Sequence, residues 1–344
     1  MFLNYKLFCF VIKKNMLPSI LLVVHVCAWT HQTPIERSAN QVAAHAAADE
    51  RAQRMTDDIF AAIKADDDRL LNRLLKVEHE DDATGRQLTA DLSTEDEYGV
   101  TAMHYAAGAR RGTMVELLME NGAPIEVELG PKAGHREGET PIFFAVAAGN
   151  RQSLDAFLGA GVDLFQVTKG GMTLGHFAAG LGRIDELRVL AEHDVSMQAR
   201  TKDAYESTLL HLAATSGPSA ASVQTLEYLI EQHNLAVNEQ NKKGATALHG
   251  ACAVGDVAAV KLLLSHGADP ALRNSGGKLA IDVARAQAQR RLQRRLSYHE
   301  HDGDHHAHSH GDGIHAVERP IDLHLLEQLL VVGGAPLKVR QDEL

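Results

Sequence analysis

The sequence predicts an all-α solenoid of stacked helix-turn-helix units joined by short β-hairpin loops, about six to seven of them, and three observations carry this. First, Asn241–Asn274, NKKGATALHGACAVGDVAAVKLLLSHGADPALRN, reads as one complete unit of two short antiparallel helices and a hairpin turn. Second, its marker threonine recurs: Thr101, Thr140, Thr173, Thr208 and Thr246, with Leu279 continuing the register, at spacings of 39, 33, 35, 38 and 33 residues. Third, only 5% of the chain is aromatic while small residues abound, as close stacking of thin layers requires.

Within Asn241–Asn274, Gly244 suits a tight turn and Thr246 sits where a hydroxyl caps a helix start. Ala247–Cys252 then supplies small and apolar residues for a first helix, which Gly255 breaks. Val257, Val260, Leu262, Leu263 and Leu264 lie at core spacing in a second helix, and Gly267-Ala268-Asp269 ends it and turns the chain outward. Such a unit is half a core. It buries its apolar faces against the next copy, so one copy implies others at a period of about 33 residues.

The other copies are legible as DEYGVTAMHYAA (Asp96–Ala107), EGETPIFFAVAAGN (Glu137–Asn150), GGMTLGHFAAGLGR (Gly170–Arg183) and ESTLLHLAATSG (Glu206–Gly217), each followed by a Leu-rich second helix. Together these residues resemble the ankyrin-repeat family over roughly Met55–Val339. His104, His176, His211 and His249 each stand three residues after the threonine, like the family's Thr-Pro-Leu-His, which implies hydrogen bonds within and between turns. Repeat two departs, with Phe143 in place of histidine and Pro141 retained.

In chain order, residues 1–28 read as a cleaved signal peptide. Lys13 and Lys14 precede an apolar run from Met16 to Ala28 that ends in small residues and is too short to span a bilayer, and Met16 is an alternative start. Residues 29–55 are an Ala-rich helical cap or linker. Residues 56–284 are the repeats, beginning with a divergent one in which Ile59, Phe60, Ala62 and Ile63 form one helix and Leu70, Leu71, Leu74 and Leu75 the next. Asp57 and Asp58 suit a helix N-terminus there.

Val77–Glu97 is an acidic loop with little to bury, and Glu128–Glu137 is an insertion that extends a hairpin. Gly217-Pro218-Ser219 widens a turn within a repeat. The last repeat is split: residues 285–319 form an Arg-rich helix extension and a His-rich loop, and residues 320–340 supply the second helix and cap. Residues 341–344, Gln341-Asp342-Glu343-Leu344, resemble a retention signal of the KDEL kind, which implies a retention receptor.

The two ends together predict the lumen of the endoplasmic reticulum, with no membrane span after cleavage. Secretion, or a cytoplasmic protein if the N-terminal segment is no signal, are the alternatives. Cys252 would be the one cysteine left and is expected buried, so no intramolecular disulfide forms. A formal charge of −11 argues against a general nucleic-acid surface.

His299, His301, His305, His306, His308, His310 and His315 stand beside Glu300, Asp302, Asp304 and Asp312. Imidazoles at His-x-His spacing are good ligands for zinc, copper or nickel. The stretch lacks the fixed spacing of a structural site, so a solvated loop and a pH-driven charge switch stand beside the zinc reading. No nucleophile elbow, phosphate loop or His-Glu-x-x-His motif is present, and the residues outside the repeats leave no room for an enzyme domain.

The expected function is thus a non-enzymatic scaffold or adaptor for a protein partner, requiring no cofactor. The alternatives are a zinc buffer or sensor and a secreted effector. By resemblance the contact face is the concave side, and it carries over to Glu97, Tyr98, Val100, Arg136, Glu137, Glu139, Lys169, Met172, Tyr205, Ser207, Lys242 and Lys243. Tyr98 and Tyr205 are the expected anchors.

Overall fold

A computed structural model describes residues 34–76, 79–80, 87–88, 90–109, 112–301 and 321–332. Helices dominate because each repeat joins a short apolar run to a second amphipathic one across a glycine or a cap. In order they are α1 Pro34–Lys64, α2 Asp68–Lys76, α3 Ala102–Gly108, α4 Thr113–Glu120, α5 Pro141–Ala148, α6 Arg151–Gly159, α7 Leu174–Gly180, α8 Ile184–Glu192, α9 Leu209–Ala213, α10 Ala220–His233, α11 Ala247–Val254, α12 Val257–Ser265, α13 Ala280–His301 and α14 Leu323–Val332. Among the described residues, α3 to α14 form six successive contacting pairs.

The chain divides into two compact units, one of residues up to Ile59 with Arg73–Asp91, the other of Phe60–Asn72 with Leu92 onward. In the first, α1 does not break at Thr56. No glycine or proline follows Pro34 before Lys64, so the helix propagates through the boundary expected between cap and first repeat. Asp57 and Asp58 therefore lie inside a helix instead of at its start, with Asp57 accepting from Gln53 at 3.1 Å. The acidic stretch after α2 contributes a short antiparallel ladder, β1 His79–Glu80 against β2 Gln87–Leu88.

In the second unit each first helix lies on the next first helix, from α3 through α5, α7, α9 and α11 to α13, and the second helices stack likewise. The core is the seam between the rows. It holds Met103, Leu118, Ile142, Phe143, Leu154, Phe157, Leu174, Leu187, Leu210, Leu229, Leu248 and Leu263, each buried. Second helices are capped by Asn150, Ser219 and Asp256, which accept from the backbone N–H three residues on.

Glu128–Glu137 forms a loop closed by Leu129 N to Glu139 O at 2.9 Å and Gly138 N to Leu129 O at 2.8 Å, with a 3₁₀ turn at Pro131–Arg136. In the last repeat α13 runs on to His301, and α14 lies on α12 and α13. Arg285 clamps α14 by two bonds to Glu327, at 3.0 and 2.8 Å. The N-terminal 33 residues, Gln341–Leu344, and His305, His306, His308, His310 and His315 lie outside the described residues.

Candidate functional site

The face is assembled by one motif used four times. In each case a threonine N–H donates to the Nδ1 of the histidine three residues later: Thr101 to His104 and Thr173 to His176 at 3.3 Å, Thr208 to His211 and Thr246 to His249 at 3.2 Å. With Nδ1 an acceptor, the neutral ring carries its proton on Nε2. That nitrogen faces a carbonyl one repeat further on: Glu139 O at 3.4 Å, Ser207 O at 3.3 Å, Ala245 O at 2.8 Å and Lys278 O at 3.1 Å. Each accepting residue immediately precedes the next repeat's marker, Leu279 included.

Burial lowers the proton affinity of all four rings, taking His104 down to about 4. These histidines are structural ties between layers, as the resemblance implied. In repeat two Phe143 instead stacks edge-on against Phe177 at 5.0 Å, and Thr140 donates to Gln166 at 2.7 Å.

The hairpin tips, or fingers, are joined by a second ladder. Lys169 N donates to Glu137 O at 3.2 Å, Lys202 N to Gly171 O at 3.2 Å, Lys242 N to Tyr205 O at 2.8 Å and Ser275 N to Lys243 O at 2.9 Å. Gly171 shows how close the approach is: at φ +71°, an added Cβ would stand 2.5 Å from the Lys202 nitrogen. Ion pairs reinforce the row: Lys169 with Glu137 at 2.7 Å, Lys242 with Glu206 at 2.8 Å, and Arg200 with Glu239.

On four inner helices the residue four after the marker threonine is large and half-buried: Tyr105, Phe144, Phe177 and Leu212; after Thr246 it is Gly250. Gly108 and Gly180 abut Phe144 and Leu212 and leave their faces open. Lys64 lies 4.6 Å from the Tyr105 ring centroid and Arg136 3.8 Å from that of Phe144. The Tyr105 hydroxyl donates to Asp96 at 2.6 Å, and burial together with this bond pushes its pKa up to about 12. Asp96 stays below the ordinary carboxylate range: burial opposes this, but Tyr105 and the N–H groups of Val100 and Tyr98 outweigh it. An open hollow of about 510 Å³ lies between Ile63, Lys64, Tyr105 and Gly108.

Of the residues expected on this face, Tyr98 and Tyr205 are 60% and 52% exposed, and Glu97, Lys169, Lys242 and Lys243 are also exposed. Arg136, Glu137 and Met172 are half-buried. Val100, Glu139 and Ser207 are buried and drop out as surface contacts. In two fingers the last residue is folded under: Ser207 N donates to Thr201 Oγ1 at 2.8 Å, and Glu139 accepts from Arg136 at 2.9 Å. Tyr105, Phe144, Phe177 and Leu212 were missing from the expected set, although their fixed offset from the threonine is a sequence signal. Among the described residues no three His, Cys, Asp or Glu side chains are grouped to hold a metal ion.

The model of the family described as Ankyrin repeats (3 copies) matches residues 59–164, 142–232, 198–274 and 219–291. The Probable 26S proteasome regulatory subunit p28 of Saccharomyces cerevisiae is 29% identical over 196 residues, 56% of this chain and 82% of that protein. The B-cell lymphoma 3 protein homolog of Mus musculus is 30% identical over 191 residues, covering 54% of this chain and 40% of that protein. The crystal structure of the human ASB11 ankyrin repeat domain aligns with a TM-score of 0.54 at 19% identity, over 81% of this chain and 98% of that one, a likeness of fold.

Proposed function

The chain belongs to the ankyrin-repeat family, and on that premise we propose that it is a non-enzymatic scaffold gripping a protein partner along its fingers and inner helices. Ankyrin repeats are in general protein-interaction modules. The observation that carries the reading for this chain is the row of Tyr105, Phe144, Phe177 and Leu212 beneath the exposed Tyr98 and Tyr205. Aromatic side chains on a rigid frame supply contact area at little entropic cost and dominate interface energies.

Photo-crosslinking tests it. A benzophenone side chain placed at Tyr98 or at Phe177 should label the same protein in a native extract, and one at Glu116 on α4 should not. Tyr98→Ala with Tyr205→Ala should weaken labelling from Phe177 while helical content is unchanged. Equal labelling from α4 would overturn the placement.

A second reading rests on the composition of residues 299–315, with seven histidines beside four acidic residues. It makes this segment a zinc ligand set in a lumenal protein. Zinc titration of the full chain and of a His299–His315 deletion, each also scored for partner labelling, separates carriage of metal from scaffolding.

A further inference from the structure

The repeat pattern is broken twice towards the C-terminal end, and both breaks border one hollow. In the repeat marked by Thr208 the turn is long: Ala214–Ser219 separate α9 from α10, where Gly255-Asp256 alone separate α11 from α12. Then α13, with 22 residues against 8 in α11, runs past the end of its neighbour. Arg291 marks the overrun, donating through Nη2 to Val254 O at 3.5 Å. In the corner between the long turn, the start of α12 and the overrunning α13 lies an open hollow of about 710 Å³, at the ends of the first helices opposite their fingers.

Its walls are aliphatic: Pro218, Val223, Val254 and Val257. Two acidic residues line it. Asp256 is buried and engaged, Oδ1 accepting from Ala259 N at 3.0 Å and Oδ2 from Ser222 Oγ at 2.9 Å. Asp322 is exposed and accepts from Leu325 N at 3.0 Å. The adjoining helices are basic or uncharged: Ala220–Thr225 of α10 holds no charge, and α12 holds Lys261 alone. On α13 five arginines and no acid stand between Asp282 and Glu300. Arg285 is taken by Glu327, while Arg290 and Arg294, one turn apart on the overrun, are exposed.

We propose that this corner is a second docking surface, which takes an acidic polypeptide segment by seating one of its apolar side chains in the hollow and setting its carboxylates against Arg290 and Arg294. The surface is separate from the row of Tyr105, Phe144, Phe177 and Leu212, so the inference goes beyond the scaffold reading. The hollow is of the size that ligand sites occupy, and burial of an apolar side chain there supplies affinity. Arginines, which meet carboxylates through two parallel bonds, supply orientation. The formal charge of −11 opposes such a segment at long range, but salt at about 0.1 M screens charges beyond about 10 Å and leaves the nearby arginines to act. No aromatic ring lines the hollow to stack a base, which favours a polypeptide over a nucleic acid.

The test uses the full chain and fluorescein-labelled probes of equal length, followed by anisotropy: Leu-Phe flanked by glutamates, glutamates alone, Leu-Phe flanked by lysines, and a thymidine oligonucleotide. The first should bind about tenfold tighter than glutamates alone. Arg290→Gln with Arg294→Gln should weaken it about fivefold, as expected of two exposed contacts. Ala258→Trp, which fills the hollow from an exposed position, should remove the advantage of Leu-Phe and leave the glutamate peptide unaffected. Equal binding of the two acidic peptides, unchanged affinity in the Gln variant, or tighter binding of the lysine-flanked peptide or the oligonucleotide each overturns the proposal. So does a full chain that binds no peptide, and binding gained on deleting Asp302–Pro320 would then assign the hollow to the chain's own inserted segment.

Discussion

Acid should loosen this solenoid through its histidine ties, and His104 gives the magnitude. Its ring is fully buried, with Nδ1 accepting from Thr101 N and Nε2 facing Glu139 O, and its pKa falls from 6.5 to about 4. A second proton would have to enter at Nδ1, expelling the Thr101 N–H. Because the folded pKa lies below the unfolded one, the unfolded chain binds more protons as pH falls. Stability is therefore complete above about pH 6.5 and is lost progressively down to about pH 4.

Between pH 7 and pH 5 this one group accounts for about 2 kcal/mol. His104→Gln cannot take up that proton. The variant should be less stable at pH 7, by about 1–3 kcal/mol for the imperfectly replaced bonds, yet lose about 2 kcal/mol less than the parent between pH 7 and pH 5. Glu139, whose pKa is raised by burial, acts in the opposite sense but is present in both proteins. Urea unfolding followed by circular dichroism at the two pH values measures the difference. Equal losses in parent and variant would refute the account.

Three further outcomes are expected. Gly171→Ala forces a Cβ against the Lys202 backbone at positive φ and should destabilise by about 1–3 kcal/mol, read as a lower urea midpoint; an unchanged midpoint would contradict the close approach. Cys252 is buried with its pKa pushed up to about 12, so in a Cys9→Ser, Cys27→Ser background it should resist a thiol reagent at pH 8 until urea unfolds the chain; stoichiometric labelling of the native protein would place it at the surface. Arg285→Ala removes the clamp on α14, whose partners are 40% and 33% exposed, and should cost about 0.5–1 kcal/mol. Hydrogen exchange should then quicken in Leu323–Val332 and not in α7 or α9.

The sequence by itself determined the period and the all-helical class, because each repeat is a local unit whose turn, cap and apolar face lie within one short window. The same locality made Thr101–His104 and its counterparts legible as a motif. Long-range geometry decided the rest. The boundary expected at Thr56 vanished because nothing between Pro34 and Lys64 stops a helix. Val100, Glu139 and Ser207 proved buried, though they sit beside exposed residues, because a finger's outward or inward side is set by the finger stacked against it. Only stacking showed which glutamates of the fingers are paired, Glu137 with Lys169, Glu206 with Lys242 and Glu239 with Arg200. A charge shows in sequence, but its partner is often supplied from the adjacent layer, about 32 to 39 residues away.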